Sequence, residues 1–85
     1  MLKKNNKLCI SEKNDEIVIL NMESGMFFGL QDVSYDVWKI MEEHRDVASI
    51  VNEIVQIYDV ARKEAEIDIS NIINEMKENG LVIES

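Results

Sequence analysis

Residues 16–41, EIVILNMESGMFFGLQDVSYDVWKIM, change hydrophobic period partway along, and that change decides the fold. Residues 17–22 are apolar almost without interruption and rich in β-branched side chains, the pattern of a strand whose two faces are both at least partly covered. Asn21-Met22-Glu23-Ser24-Gly25 closes it, with Gly25 free to take the positive φ of a tight turn. Residues 26–30 then return antiparallel, sending Met26, Phe28 and Leu30 to one face and Phe27 and Gly29 to the other. From there the period is helical: Val33, Val37, Ile40 and Met41 fall at i, i+4, i+7 and i+8. Trp38 widens the stripe, and Asp32 or Ser34 is placed to cap it.

Upstream, Leu8-Cys9-Ile10 reads as a short strand ended by Ser11-Glu12-Lys13-Asn14-Asp15. Residues 1–6 are polar and expected to be flexible. Downstream, Glu43-His44-Arg45-Asp46 breaks the helix, and Asp46 can cap a second one carrying Val47, Ile50, Val51, Ile54 and Tyr58. A third helix is expected over about residues 62–79, with Ala65, Ile69, Ile72, Ile73 and Met76 on one face. Gly80 suits the left-handed position that ends it, and Leu81-Val82-Ile83 must dock, as a short strand. The chain is thus expected to be one α+β domain over residues 1–85. A three-stranded antiparallel sheet is followed by three helices that cover one of its faces, in a winged helix-turn-helix-like arrangement with the sheet placed first.

With 85 residues and 46% hydrophobic side chains, the chain can bury one small core. Its net charge of -8 is uneven. Residues 1–13 hold Lys3, Lys4, Lys7 and Lys13 against Glu12, whereas the remainder holds 5 basic against 16 acidic side chains. Such a body repels phosphate backbones and anionic membranes and suits a cationic or neutral peptide. The single cysteine, Cys9, can form no internal disulfide and reads as a packed strand residue. No apolar run reaches the length of a membrane span and no h-region follows the N-terminal lysines, so a cytoplasmic location is expected.

The residue inventory supplies no active site. One histidine and one cysteine do not make a metal centre, and His44 reads as an exposed helix-end side chain. Ser11, Ser24, Ser34, Ser49 and Ser70 lack the flanking glycines of a nucleophile elbow. Gly25 and Gly29 stand without the remaining residues of a phosphate loop. Glu42-Glu43 and Glu64-Glu66 are solvated helix faces. No catalytic residue, cofactor or metal is expected. The third helix sets Arg62, Lys63 and Lys77 against Glu64, Glu66, Asp68, Glu75 and Glu78, a balance that disfavours nucleic acid.

Peptide capture remains. If residues 26–30 form a sheet edge, their free N–H and C=O groups can pair with an incoming strand, and the third helix can wall the groove beside it. Gly29 permits close approach there. Core packing alone accounts for Phe28, Leu30, Trp38, Ile69 and Ile73, whereas Phe27, Ile72 and Met76 fit core or groove equally.

The run Ile19-Leu20-Asn21-Met22-Glu23-Ser24-Gly25-Met26-Phe27-Phe28-Gly29-Leu30, followed by Val33 and Val37-Trp38-Lys39-Ile40-Met41, resembles the PqqD-like family. So do Tyr58-Asp59-Val60, Ala65, Asp68-Ile69, Ile72-Ile73, Met76 and Gly80-Leu81-Val82. Members of that family are RiPP recognition elements, which bind the leader segment of a ribosomally made precursor peptide and present it to modifying or processing enzymes. The hairpin looks most like the stand-alone elements of lasso-peptide biosynthesis, which work beside a separate leader peptidase. It departs from them at Ser34-Tyr35-Asp36, where small residues are common after Val33. The resemblance implies a peptide site on Met26, Phe27, Phe28, Gly29 and Leu30 of the strand and on Asp68, Ile69, Ile72, Ile73 and Met76 of the third helix. Asp68 would orient the leader or accept a leader cation, or would be merely solvated. The implied partners are a precursor leader peptide and a leader peptidase or other peptide-modifying enzyme, with no nucleic acid and no membrane. The protein itself would be a monomer or weak dimer. Alternatives are a PqqD-type chaperone for a radical-SAM enzyme, a winged-helix DNA-binding regulator, and a structural subunit that self-associates through the same edge.

Overall fold

The computed structural model describes residues 1–84. In chain order the elements are β1 (Leu2–Lys4), β2 (Leu8–Lys13), β3 (Glu16–Asn21), β4 (Phe27–Leu30), α1 (Asp32–Ile40), α2 (Val47–Ile57), α3 (Arg62–Glu78) and β5 (Val82–Glu84). Strands β2, β3 and β4 form an antiparallel sheet in that order, and β1 pairs antiparallel with β5 in a second, two-stranded sheet. The α+β class, the three-stranded sheet and the three helices match the sequence reading.

All three helices lie on one face of the larger sheet. Ile17, Ile19 and Leu30 are buried there against Val37 and Trp38 of α1, Ile50, Val51 and Ile54 of α2, and Ala65, Ile69, Ile73 and Met76 of α3. The other face stays open, so Val18 is 37% exposed between two fully buried isoleucines. The apolar run of β3 is therefore covered on one side, not two, because no element among the described residues crosses the outer face.

The N-terminal residues correct the expectation of flexibility. Leu2 is 3% exposed, and β1 runs Leu2↔Glu84, Lys3↔Ile83, Lys4↔Val82 along β5. The Leu2 N–H donates to the Arg45 carbonyl at 2.8 Å, and the Asn5 carboxamide donates to the Gly80 carbonyl at 2.8 Å. Lys4 lays its ammonium 4.3 Å from the centroid of the Trp38 ring, a cation–π contact, and burial pushes its pKa below the usual lysine range.

The helix ends follow local chemistry. Asp46 caps α2, its carboxylate accepting from the Ser49 N–H at 3.3 Å. α1 differs from expectation: Gln31 is its N-cap and makes no side-chain cap bond, while Asp32 sits at φ 54. α3 ends in a Schellman motif, with Gly80 N–H to Lys77 O at 3.1 Å, Leu81 N–H to Met76 O at 2.9 Å, and Gly80 at φ 73. That turn aims the chain back so that Leu81 and Val82 are buried. Between sheet and helix, Glu12 of β2 accepts from two side chains of α1, the Tyr35 hydroxyl at 2.7 Å and the Lys39 ammonium at 3.0 Å. The Tyr35 bond, then the Lys39 bond, holds its carboxyl below the usual range.

Candidate functional site

The site begins at the hairpin turn. The Asn21 N–H donates to the Met26 carbonyl at 2.9 Å, and the paired residues of β3 and β4 continue in the same register to Ile17↔Leu30. Hydrogen-bonded pairs alternate along an antiparallel ladder. Phe28 and Leu30 therefore spend their backbone groups on Ile19 and Ile17, while Phe27 and Gly29 turn their N–H and C=O outward. The opposite side of β3 agrees: the Met22 N–H donates to the Lys7 carbonyl at 3.0 Å, assigning the even-numbered residues of β3 to β2. β4 is thus an edge strand with an open row of donors and acceptors centred on Phe27 and Gly29.

Beside that edge runs a groove of about 360 Å³. Phe27, Phe28, Gly29 and Leu30 form one wall; Ile72, Glu75 and Met76 of α3 and its C-cap Asn79 form the other, with Ser34 and Leu81 completing it. The two walls are tied together by Asn21, whose carboxamide donates to the Asn79 carbonyl at 3.3 Å. Its side-chain oxygen accepts from the Glu23 N–H at 2.9 Å and the Ser24 N–H at 3.3 Å, which fixes the turn.

Of the residues expected at a peptide site, the groove brings together Phe27, Phe28, Gly29, Leu30, Ile72 and Met76. Phe27 is 67% exposed, a large apolar side chain in water, whereas Met76 offers the groove only a sliver of a buried side chain. Ile69 and Ile73 do not line it and belong to the core, each 1% exposed. Met26 lies in the turn ahead of β4 and is exposed. Asp68 is exposed on α3, one turn before Ile72, and does not line the groove. A Cβ added at Gly29 would meet nothing within 4 Å, so the isolated fold does not require glycine there.

The sequence reading missed Ser34, Glu75, Asn79 and Leu81 as lining residues. For α3 the signal was present: 72, 75, 76 and 79 follow helical spacing on the flank of the buried stripe, but attention to apolar positions passed over Glu75 and Asn79. Glu75 is the one charged side chain among the described residues of the groove. His44 lies elsewhere, its Nε2 3.1 Å from a Glu53 carboxylate oxygen. Among the described residues no helix is long and apolar enough to cross a membrane.

The sequence model of the family described as coenzyme PQQ synthesis protein D (PqqD) matches residues 16–82. No curated protein sequence matches the chain. Among solved structures, TbiB1 in complex with the TbiA(beta) leader peptide is 26% identical with a TM-score of 0.91, covering 98% of this chain and 96% of TbiB1. Lasso peptide synthetase B1 complexed with its leader peptide has the same fold, with 24% identity, a TM-score of 0.82 and 98% of both chains covered.

Proposed function

This chain belongs to the PqqD family, and from that membership and the open edge of β4 we propose that it is a non-catalytic RiPP recognition element. It captures the leader segment of a precursor peptide by strand addition and delivers it to a processing enzyme. The observation that carries the reading is the outward-facing backbone of Phe27 and Gly29 beside the groove walled by α3, on a fold shared with TbiB1, which was solved with a leader peptide bound. An incoming strand bonds to Phe27 and Gly29, and its alternate side chains enter the groove. Other strand edges suit this less. β2, at the far side of the sheet, carries Glu12 and Lys13 and ties Glu12 to α1, the charged blunting that discourages pairing.

The partner enzyme is a leader peptidase of a lasso-peptide pathway in the cytoplasm. Holding the leader raises the local concentration of the rest of the precursor at that enzyme. A second reading keeps the leader site and changes the client to a radical-SAM enzyme, since the matched family is described by PQQ synthesis. DNA regulation has less support. On α3, Arg62 is engaged by Glu66 at 3.3 Å and Lys77 by Glu84 at 3.3 Å, which leaves acidic side chains in excess on that helix.

The test is a fluorescence anisotropy titration of labelled leader segments from neighbouring precursor-sized reading frames, with duplex DNA as control. Saturable binding of one leader, weakened at least about tenfold by Phe27→Asp in a domain of unchanged fold, supports the reading. Binding of DNA with a steep salt dependence and of no leader overturns it.

A further inference from the structure

Resting on the leader-binding reading, we infer that Glu75 selects a basic residue, lysine or arginine, in the part of the leader that lies along α3. The groove is otherwise neutral: its other walls are apolar side chains, backbone, the Ser34 hydroxyl and the Asn79 amide. Glu75 brings one negative charge into it and forms no ion pair among the described residues. Its helical neighbours at three and four residues' distance, Asn71, Ile72, Glu78 and Asn79, include no cation. Lys77, two residues along, sits 3.3 Å from Glu84.

Glu75 is exposed in the free domain, but a strand docked in the groove it lines displaces solvent around its carboxylate, which makes it worth more to a cation than a carboxylate left in open water. The same geometry penalises a leader carboxylate at that position, so the charge discriminates in both directions. Asp68, the other acidic candidate on this flank of α3, lies seven residues earlier, about 10 Å along the helix axis, and outside the groove. Its charge faces water and is screened.

The experiment is a selection of displayed random peptides against the whole domain, run in parallel on wild type, Glu75→Gln, Glu75→Lys, Asp68→Asn and Phe27→Asp. Wild type is expected to enrich lysine or arginine at one fixed spacing from the apolar anchor positions. Glu75→Gln loses that preference while keeping the apolar anchors. Glu75→Lys turns it into a preference for aspartate or glutamate, and Asp68→Asn leaves it as in wild type. A selected basic peptide binds Glu75→Gln roughly three- to tenfold more weakly at low salt, and the gap narrows as salt rises. Apolar anchors with no basic preference, or a basic preference that survives in Glu75→Gln, overturn the role of Glu75 and leave the peptide site standing. No enrichment at all, or enrichment indifferent to Phe27→Asp, overturns the peptide site and this inference with it.

Discussion

The side-chain nitrogen of Asn21 donates to the backbone carbonyl of Asn79 at 3.3 Å, joining the end of β3 to the cap of α3, whose Asn79 lines the groove. Asn21 is 5% exposed, the one buried polar side chain among the described residues. A Cβ on Gly80 would stand 2.9 Å from that same nitrogen, so the Schellman glycine and the clamp share one space.

Asn21→Ala removes three hydrogen bonds and is expected to destabilise the domain by about 1–3 kcal/mol. Gly80→Ala forces alanine into a left-handed backbone at φ 73 and into the clamp; the backbone part alone costs about 1–2 kcal/mol. With Asn21 already truncated the steric part disappears. Urea unfolding should therefore show the double variant losing less stability than the sum of the two single losses. Strict additivity would separate the glycine from the clamp.

The register of β4 makes neighbouring prolines behave differently. At Gly29 the N–H points to the open edge, a position where a sheet tolerates proline. Gly29→Pro should keep the domain folded and weaken leader binding by about tenfold or more, through loss of a docking donor. At Phe28 the N–H belongs to the ladder with Ile19, and Phe28→Pro should lower the unfolding midpoint before any binding is measured. Circular dichroism melts paired with anisotropy titrations distinguish the two.

β1 holds the molecule closed at its N-terminus. Leu2→Ala empties a fully enclosed position and is expected to cost about 2–5 kcal/mol, a large share of the stability of so small a domain. Urea denaturation measures it. A cost near zero would mean that β1 does not pack onto β5 in solution.

Much of this was legible in the sequence and some was not, for identifiable reasons. The hairpin, the helix ending at Gly80 and the Asp46 cap each rest on contacts between near neighbours in sequence, and periodicity and turn chemistry report those. β1 depends on pairing with β5 at the other end of the chain, and one buried leucine among lysines and asparagines carries no period. That residues 26–30 could form a sheet edge was legible, but which of their backbone groups face outward, those of Phe27 and Gly29, depends on the pairing register with β3 and needed the structure. Ile69 and Ile73 read as core from their spacing while the family resemblance implied them at the peptide site; both are 1% exposed, because the stripe they form on α3 faces the core. Glu75 was passed over because a glutamate on an acidic helix looks like solvated surface until the opposite wall is known.

Alkaline pH reports on the joint between α1 and the end of α2. The Tyr58 hydroxyl donates to the Asp36 carboxylate, and that bond pushes the Tyr58 pKa from 10.0 up to about 12. A pKa raised in the folded state contributes stability that is fully present below pH 10 and is lost as pH rises toward about 12. Wild type should be more stable than Tyr58→Phe below pH 10, with the difference shrinking above it. Urea midpoints across that window, with ultraviolet titration of the phenolates, check the sign. A difference that grows with pH would contradict the assignment.

Addition of a leader strand to the edge of β4 is read out by residue-resolved amide hydrogen exchange with and without a bound leader segment. Phe28 and Leu30, already bonded to β3, should be protected in the free domain. Phe27 and Gly29 should exchange freely there and become protected when the leader is present, with no comparable gain along β2. A leader that binds saturably while Phe27 and Gly29 stay unprotected, or that instead protects Leu8, Ile10 and Glu12, would show that it does not add to β4.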